Sequence, residues 1–263
     1  MTDSRPIGIF DSGLGGLAVL KEIRQQLPDE DLLFFADQGR LPYGPRPTAE
    51  VRSFAEQITR FLLAHEAKAI VVACNTASAA ALTHLRQTFA NVLFVGMEPA
   101  VKPAAEQTHS RVVGVIATQS TCQSEIFESV VARFAKDVRV LRQACPGLVT
   151  QVEAGEFESA ATDQLLHDYL DPMLAEGIDS LVLACTHFTF LTPAIQRVTG
   201  SGVRVIDPAP AVARQVGRVI DPHGPTQFAS LKAFTTGRKS PADLVVQLLN
   251  QPIEFNLVPE IDL

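Results

Sequence analysis

Short apolar runs alternate with longer amphipathic stretches along almost the whole 263-residue chain. Ile7–Phe10, Leu32–Ala36, Ala69–Ala73, Val92–Gly96, Val112–Ile116, Val138–Leu141, Ser180–Leu183 and Val203–Ile206 read as strands. They are β-branched or rich in Leu and Phe and lack polar alternation, which suits parallel strands covered on both faces. Between them the spacing changes. After Pro47, the apolar Val51, Phe54, Ala55, Ile58, Phe61 and Leu62 recur at helical spacing, while Glu50, Arg52, Glu56 and Arg60 fall elsewhere. Strand–helix alternation of this kind predicts an α/β fold built on parallel sheets.

A weak internal echo refines that picture. Residues 69–77 read AIVVACNTA and residues 180–188 read SLVLACTHF. Each is an apolar strand, then Ala-Cys, then a polar pair containing Thr, then a helical pattern. Ligands of open α/β sheets bind beyond the carboxyl ends of strands, so both cysteines stand where chemistry is usually found. The echo predicts two similar α/β domains facing one another across a cleft. Pro and Gly content puts one boundary near Gly96–Pro103 and a return near Ile206–Pro210. The first domain is then discontinuous, residues 1–98 plus 207–263, and the second spans residues 99–206.

Composition narrows the partners. With 46% hydrophobic residues the chain can bury a large core, and a net charge of −7 without basic clusters argues against nucleic acid. The opening MTDSRPIGIF lacks a signal-peptide pattern, and no apolar stretch reaches the roughly 18 residues of a membrane span. A soluble, cytoplasmic protein is expected. The four cysteines, at 74, 122, 145 and 185, include no CxxC pair, and their even number is weak support for disulfides.

A single Cys among apolar neighbours is more often a small buried hydrophobe than a reactive group, and Cys122 and Cys145, which follow no clear strand, keep that reading. Cys74 and Cys185 differ because their context repeats. Each ends a strand and precedes an apparent helix N-terminus, where free N–H groups and the dipole favour a thiolate. Two opposed thiols can hold a carbon between them, one removing a proton and the other delivering one to the opposite face. Asp11-Ser12-Gly13-Leu14-Gly15-Gly16 follows the first strand but matches neither GxGxxG nor GxxxxGK[ST], so it fits a nucleotide loop poorly. Its glycines either only make a tight turn or present Asp11 and Ser12 beside Cys74, where Asp11 suits an ammonium group or a proton. Asp37 closes the second strand ahead of Leu41-Pro42-Tyr43-Gly44; Asn75 and Thr76 follow Cys74, and Thr186 and His187 follow Cys185. Such amides and hydroxyls are good donors to carboxylates. His187 is as readily structural as catalytic, although an imidazolium there would stabilise a thiolate. Nothing local decides whether Glu153, in VEAGE, is more than a surface acid.

Together these pieces resemble the bacterial glutamate racemase family over essentially the whole chain. The resemblance is carried by IGIFDSGLGGL near the start, LPYG at 41–44, ACNTASA at 73–79, EPAVKPA at 98–104 and GVIAT at 114–118. It continues in ACPGLV at 144–149, VEAGE at 152–156, LVLACTH at 181–187 and TTG at 235–237, in the family's order. The resemblance implies two α/β domains with pseudo-twofold symmetry and the active site between them. It also implies a cofactor-independent racemase of glutamate, without pyridoxal phosphate or metal, whose D-glutamate enters peptidoglycan synthesis, and a homodimer. It implies Cys74 as the acid/base residue for the D-enantiomer and Cys185 for the L-enantiomer. Asp11, Ser12, Tyr43, Gly44, Asn75, Thr76, Thr186 and His187 match substrate-holding positions; Asp11, Asp37, Glu153 and His187 match positions that assist the thiols. Two departures bear on substrate preference and rate: ACTHFT at 184–189 where the family usually has GCTHYP, and Gln38-Gly39 within ADQGRLPYG. The rival readings are aspartate racemase, a related two-cysteine isomerase, or a binding protein with inert thiols.

Overall fold

The computed structural model of the protein describes residues 3–222, 224, 229–238 and 240–259. In chain order the elements begin β1 (Ile7–Asp11), α1 (Leu17–Gln26), β2 (Leu32–Ala36), α2 (Thr48–Ala64), β3 (Ala69–Val72), α3 (Asn75–Thr88) and β4 (Leu93–Gly96). Next come α4 (Val101–Gln107), β5 (Val112–Ala117), α5 (Gln119–Cys122), α6 (Glu125–Phe134), β6 (Arg139–Ala144), α7 (Leu148–Glu153), α8 (Ala160–Ala175), β7 (Ser180–Ala184), α9 (Thr192–Thr199) and β8 (Arg204–Ile206). The last are α10 (Ala209–Val219), β9 (Leu231–Thr235), α11 (Ala242–Leu249) and β10 (Phe255–Leu257). Short 3₁₀ turns cover Gln38–Arg40 and Thr186–Leu191. The expected α/β class with parallel sheets is what forms. The chain divides into two compact units, Met1–Met97 with Ala209–Leu263, and Glu98–Pro208.

The first unit holds a six-stranded sheet in the order β10-β9-β2-β1-β3-β4, and every pairing is parallel. Successive side chains on a strand point to opposite faces. Phe10, Leu33, Phe35, Ile70 and Val72 therefore share one face and pack with Val51, Ala55, Ile58 and Leu62 of α2 and Ala77, Ala81 and Leu85 of α3. The strands are buried along nearly their whole length, which explains why they carry no polar alternation. Two strands, β9 and β10, extend this sheet beyond those the hydrophobic pattern predicts.

The second unit has a four-stranded parallel sheet, β6-β5-β7-β8. Leu181 and Leu183 pack with Leu148, Leu166, Leu170 and Ile195 of α7, α8 and α9 on one face. Val182 and Ala184 pack with Val101, Ala104, Phe127 and Val130 of α4 and α6 on the other. At the amino ends of these strands, Asp179 ties down the turn before β5. Burial alone would raise its pKa, but the Thr108 hydroxyl at 2.6 Å, the Ser110 and His109 N–H groups at 2.7 and 2.6 Å and the Ser180 hydroxyl hold it at about 2. A carboxyl whose pKa is depressed on folding stabilises the protein above its unfolded pKa, and that contribution disappears as pH falls through the folded value. Asp179→Ala is thus expected to lose about 2 kcal/mol at pH 7 but to differ little from the parent near pH 2, checked by urea melts across pH.

The four central strands of the two sheets follow one plan. In each, a first strand (β1 or β5) lies between the next strand in sequence (β2 or β6) and the one after that (β3 or β7), with β4 or β8 beyond. The order reverses between β1 and β3 and between β5 and β7, and such switch points are where open α/β sheets bind ligands. The registers make the correspondence residue by residue. Asp11 pairs with Ala36 and Phe10 with Val72; Ala117 pairs with Ala144 and Ile116 with Leu183. The next backbone bonds match too: Asp37 N–H to Asp11 O, and Cys145 N–H to Ala117 O. Asp11 hence corresponds to Ala117, Ser12 to Thr118, Asp37 to Cys145, and Cys74 to Cys185. Gly8 and Gly114 correspond as well, and at each an added Cβ would lie 3.0 Å from the side chain of its partner on the adjacent strand, Ile70 or Leu181.

Candidate active site

Cys74 caps α3. Its sulfur accepts the Ala77 N–H at 3.4 Å and donates to the Ser12 hydroxyl at 3.7 Å. An amide N–H aimed at sulfur favours the charged thiolate over the thiol. Asn75 and Thr76, in the first turn of α3, are buried at 4% and 3% exposure. Neither polar atom of the Asn75 carboxamide has a hydrogen-bond partner, although both are buried. Such a pair costs about 1–3 kcal/mol per unmet group and needs an explanation.

Asp11 ends β1, fully buried, and its Oδ2 accepts the Gly16 N–H at 2.8 Å. A side chain at Gly16 would place its Cβ 2.6 Å from that of Asp11, so this glycine is there for close approach. Asp37 and Tyr43 are brought into direct contact, the tyrosine hydroxyl donating to the carboxylate. Burial first, and then the Asp37 charge and hydrogen bond, push the Tyr43 pKa well above its ordinary value, and the Cys74 sulfur adds to the effect. Gly44 follows in the same loop, half-buried.

In the second unit Cys185 lies 4.0 Å from His187 Nδ1, and His187 Nε2 lies 2.7 Å from Glu153 Oε1. Thiol, imidazole and carboxylate thus form a line, with the histidine 2% and the glutamate side chain 10% exposed. The helix expected directly after Cys185 is instead the 3₁₀ turn Thr186–Leu191, and α9 begins only at Thr192, where Pro193 suits a first helical turn. Thr186 is buried beside the cysteine.

A further expectation needs correction. Cys145 does follow a strand, since β6 runs on to Ala144. It is nonetheless packed in the core, and burial pushes its thiol far up; Cys122, half-buried, is raised to about 11 by the same cause. Phe188 is fully buried among Leu148, Val152 and Leu191, and Ala184 packs on the opposite face from Cys185. One candidate was missed: Thr118, the counterpart of Ser12, whose hydroxyl caps α5 through the Thr121 N–H. The clue was a second echo, GIFDS at 8–12 against GVIAT at 114–118. Among the described residues no group of three or more His, Cys, Asp or Glu is placed to hold a metal ion, and no helix is long and apolar enough to cross a membrane.

Cysteines at equivalent switch points of two like sheets are the mark of a class, and the chain belongs to the Asp/Glu/Hydantoin racemase family, which it matches over residues 7–216. Within that family its likeness is to glutamate racemases, isomerases that invert one stereocentre. It is 52% identical to the glutamate racemase of Ectopseudomonas mendocina over 83% of each chain. Among solved structures it resembles the glutamate racemase of Thermus thermophilus in complex with β-chloro-D-alanine, with a TM-score of 0.84 and 36% identity over the full length of both chains. It also resembles the Francisella tularensis enzyme in complex with D-glutamate, with a TM-score of 0.85 and 27% identity over 97% of each.

Proposed function

We infer that the protein interconverts L- and D-glutamate without a cofactor, using Cys74 and Cys185 as its two acid/base residues. The observation that carries this reading is the equivalence of the two thiols: same strand, same register and same face, in two sheets of one plan. On one half-reaction a thiolate takes the α-proton; the other thiol then returns a proton to the opposite face of the carbon. Glutamate keeps its ammonium group, so developing carbanion charge has no conjugated sink. Its stabilisation falls to fixed donors in a dry site, where each tenfold in rate needs about 1.4 kcal/mol.

The two thiols are prepared differently. Cys74, assigned to the D-enantiomer, relies on the α3 N-terminus and Ser12. Cys185, assigned to the L-enantiomer, relies on His187: Glu153 fixes the Nε2 proton, leaving Nδ1 to take the thiol proton and stay beside the resulting thiolate as imidazolium. Asn75, Thr76, Thr186 and the loop at Tyr43–Gly44 are assigned to substrate carboxylates, with Asp11 for the ammonium group. A bound carboxylate gives Asn75 Nδ2 the acceptor it lacks within the fold. Ser12 and Thr118 supply matching hydroxyls on the two sides. We assign the product to peptidoglycan synthesis in the cytoplasm and the working form to a homodimer, on the family resemblance.

Circular dichroism tests the reading. Purified protein with L-glutamate and no added cofactor is expected to lose the optical signal, while L-aspartate in parallel keeps it. Retention of both signals would overturn the assignment; loss from aspartate alone would move it to another racemase.

A further inference from the structure

The resemblance casts Asp37 as an acid that assists the thiols, yet both of its oxygens are engaged elsewhere. Oδ1 accepts from Arg40 Nε at 2.9 Å and from Thr236 Oγ1 at 2.7 Å. Oδ2 lies 2.7 Å from the same guanidinium nitrogen and accepts the Tyr43 hydroxyl. A proton delivered to either oxygen would displace one of these donors. The group is fully buried, at the carboxyl end of β2.

The donors come from separate parts of the chain, and each is anchored in turn. The Thr236 hydroxyl, besides donating to Asp37, accepts the Gly39 N–H at 2.9 Å, and its own N–H reaches Ala36 O. Thr235 Oγ1 donates to Gln38 Oε1 at 3.0 Å and accepts the Gly237 N–H at 2.9 Å. Arg40 donates from Nη1 to Gln57 Oε1 of α2 at 2.7 Å, and its guanidinium lies 4.2 Å over the Phe54 ring. Its carbonyl accepts from Arg46 Nε at 2.7 Å. Residues 37–46 are thereby tied to the end of β9 on one side and to α2 on the other, with the Leu41–Gly44 loop spanning the two.

We propose that Asp37 is the hub of a positioning device and not a proton carrier, and that Thr236 and Arg40 are positioning residues. Through Asp37 they hold Tyr43, and with it the loop, in the shape that receives substrate. Tyr43 then serves the substrate through its backbone and that of Gly44, because its hydroxyl is committed to Asp37. This inference rests on the reading of Tyr43–Gly44 as substrate-binding, and it gives the 235–237 segment a task.

Thr236→Val keeps the side-chain shape and removes both hydroxyl bonds; Thr236→Ser keeps them. For Thr236→Val the KM for L-glutamate is expected to rise about tenfold, the size of one hydrogen bond. The kcat should stay within about threefold and both limbs of its pH profile should stay in place. Deuterium uptake by peptides covering residues 37–46 should quicken, and Thr236→Ser should restore KM and uptake together. Asp37→Asn should likewise keep both pH limbs while raising KM, which provides a second route should Thr236→Val fold poorly. A proton carrier gives the opposite pattern: a lost pH limb and a fallen kcat at unchanged KM. That result, or KM and uptake unchanged in Thr236→Val, would overturn the proposal. A parent protein without racemase activity would undo the substrate reading instead, while the exchange data would still decide whether Thr236 holds the loop.

Discussion

Cys74→Ser and Cys185→Ser should each cut glutamate racemisation by about 10²- to 10⁴-fold, the span of a lost general acid/base, while the protein stays folded. Serine differs from cysteine by one atom, and both sulfurs sit in packed surroundings at 6% and 5% exposure, so the replacement adds no volume. What is lost is a group that ionises near neutrality: an unperturbed thiol titrates at about 8.5, whereas an alcohol stays protonated. Both directions of the reaction should fail in both variants, since each turnover uses one residue as base and the other as acid. Chiral chromatography of the products after long incubation measures this, with thermal melts confirming the fold. Near-normal turnover in either variant would falsify the two-thiol mechanism and leave a one-base path. Deuterium adds a second check on the parent protein. In D₂O at low conversion, label should enter the product enantiomer and not the remaining substrate, because the base that removed the proton is not the acid that returns one.

How much of this was readable in the sequence depended on burial. Strands β1, β2, β3, β5 and β7 were legible because they are covered on both faces, so their hydrophobicity is continuous. The edge strand β6 was read too short: Arg142 and Gln143 face partly outward, and a polar pair on an apolar run looks like an ending. That error hid the fact that Cys145 holds the register position of Asp37. β9 was missed for a related reason, since Lys232 interrupts LKAFT, and β10 is a three-residue edge strand with Leu257 exposed. Their loss mattered, because Thr235 and Thr236 at the end of β9 organise the residues around Asp37. No local pattern announces a contact across nearly 200 positions. The cysteines, by contrast, were legible because duplication wrote the same signal twice. Ser12 and Thr118 carry the same duplication in a fainter form, with the charged Asp11 replaced by Ala117 in the second copy.

The largest stability effect expected away from the site comes from Lys68→Met. Lys68 and Glu30 form an ion pair at 2.6 Å with side chains 3% and 4% exposed, at the amino ends of the first unit's strands and so at the opposite end of β3 from Cys74. The ammonium also donates to Asp3 O at 2.7 Å and Asp221 O at 3.0 Å, which ties the start of the chain and the segment after α10 to the sheet. The Lys68 N–H reaches Pro6 O at 2.8 Å, so β1 and β3 are aligned at the same point. Removing the cation takes away the buried ion pair between Lys68 and Glu30, a loss of about 3–5 kcal/mol, or a fall in melting temperature of about 10 °C for a chain of this size. Activity per folded molecule should be unchanged. The double variant Lys68→Met with Glu30→Leu separates two causes. If the broken ion pair is the cost, the second substitution should recover most of the loss, since a well-packed apolar pair often equals a buried ion pair. If the double variant melts as low as the single one, the two backbone carbonyls that Lys68 holds are what fastens these ends, and the ion pair contributes only by keeping the ammonium in place.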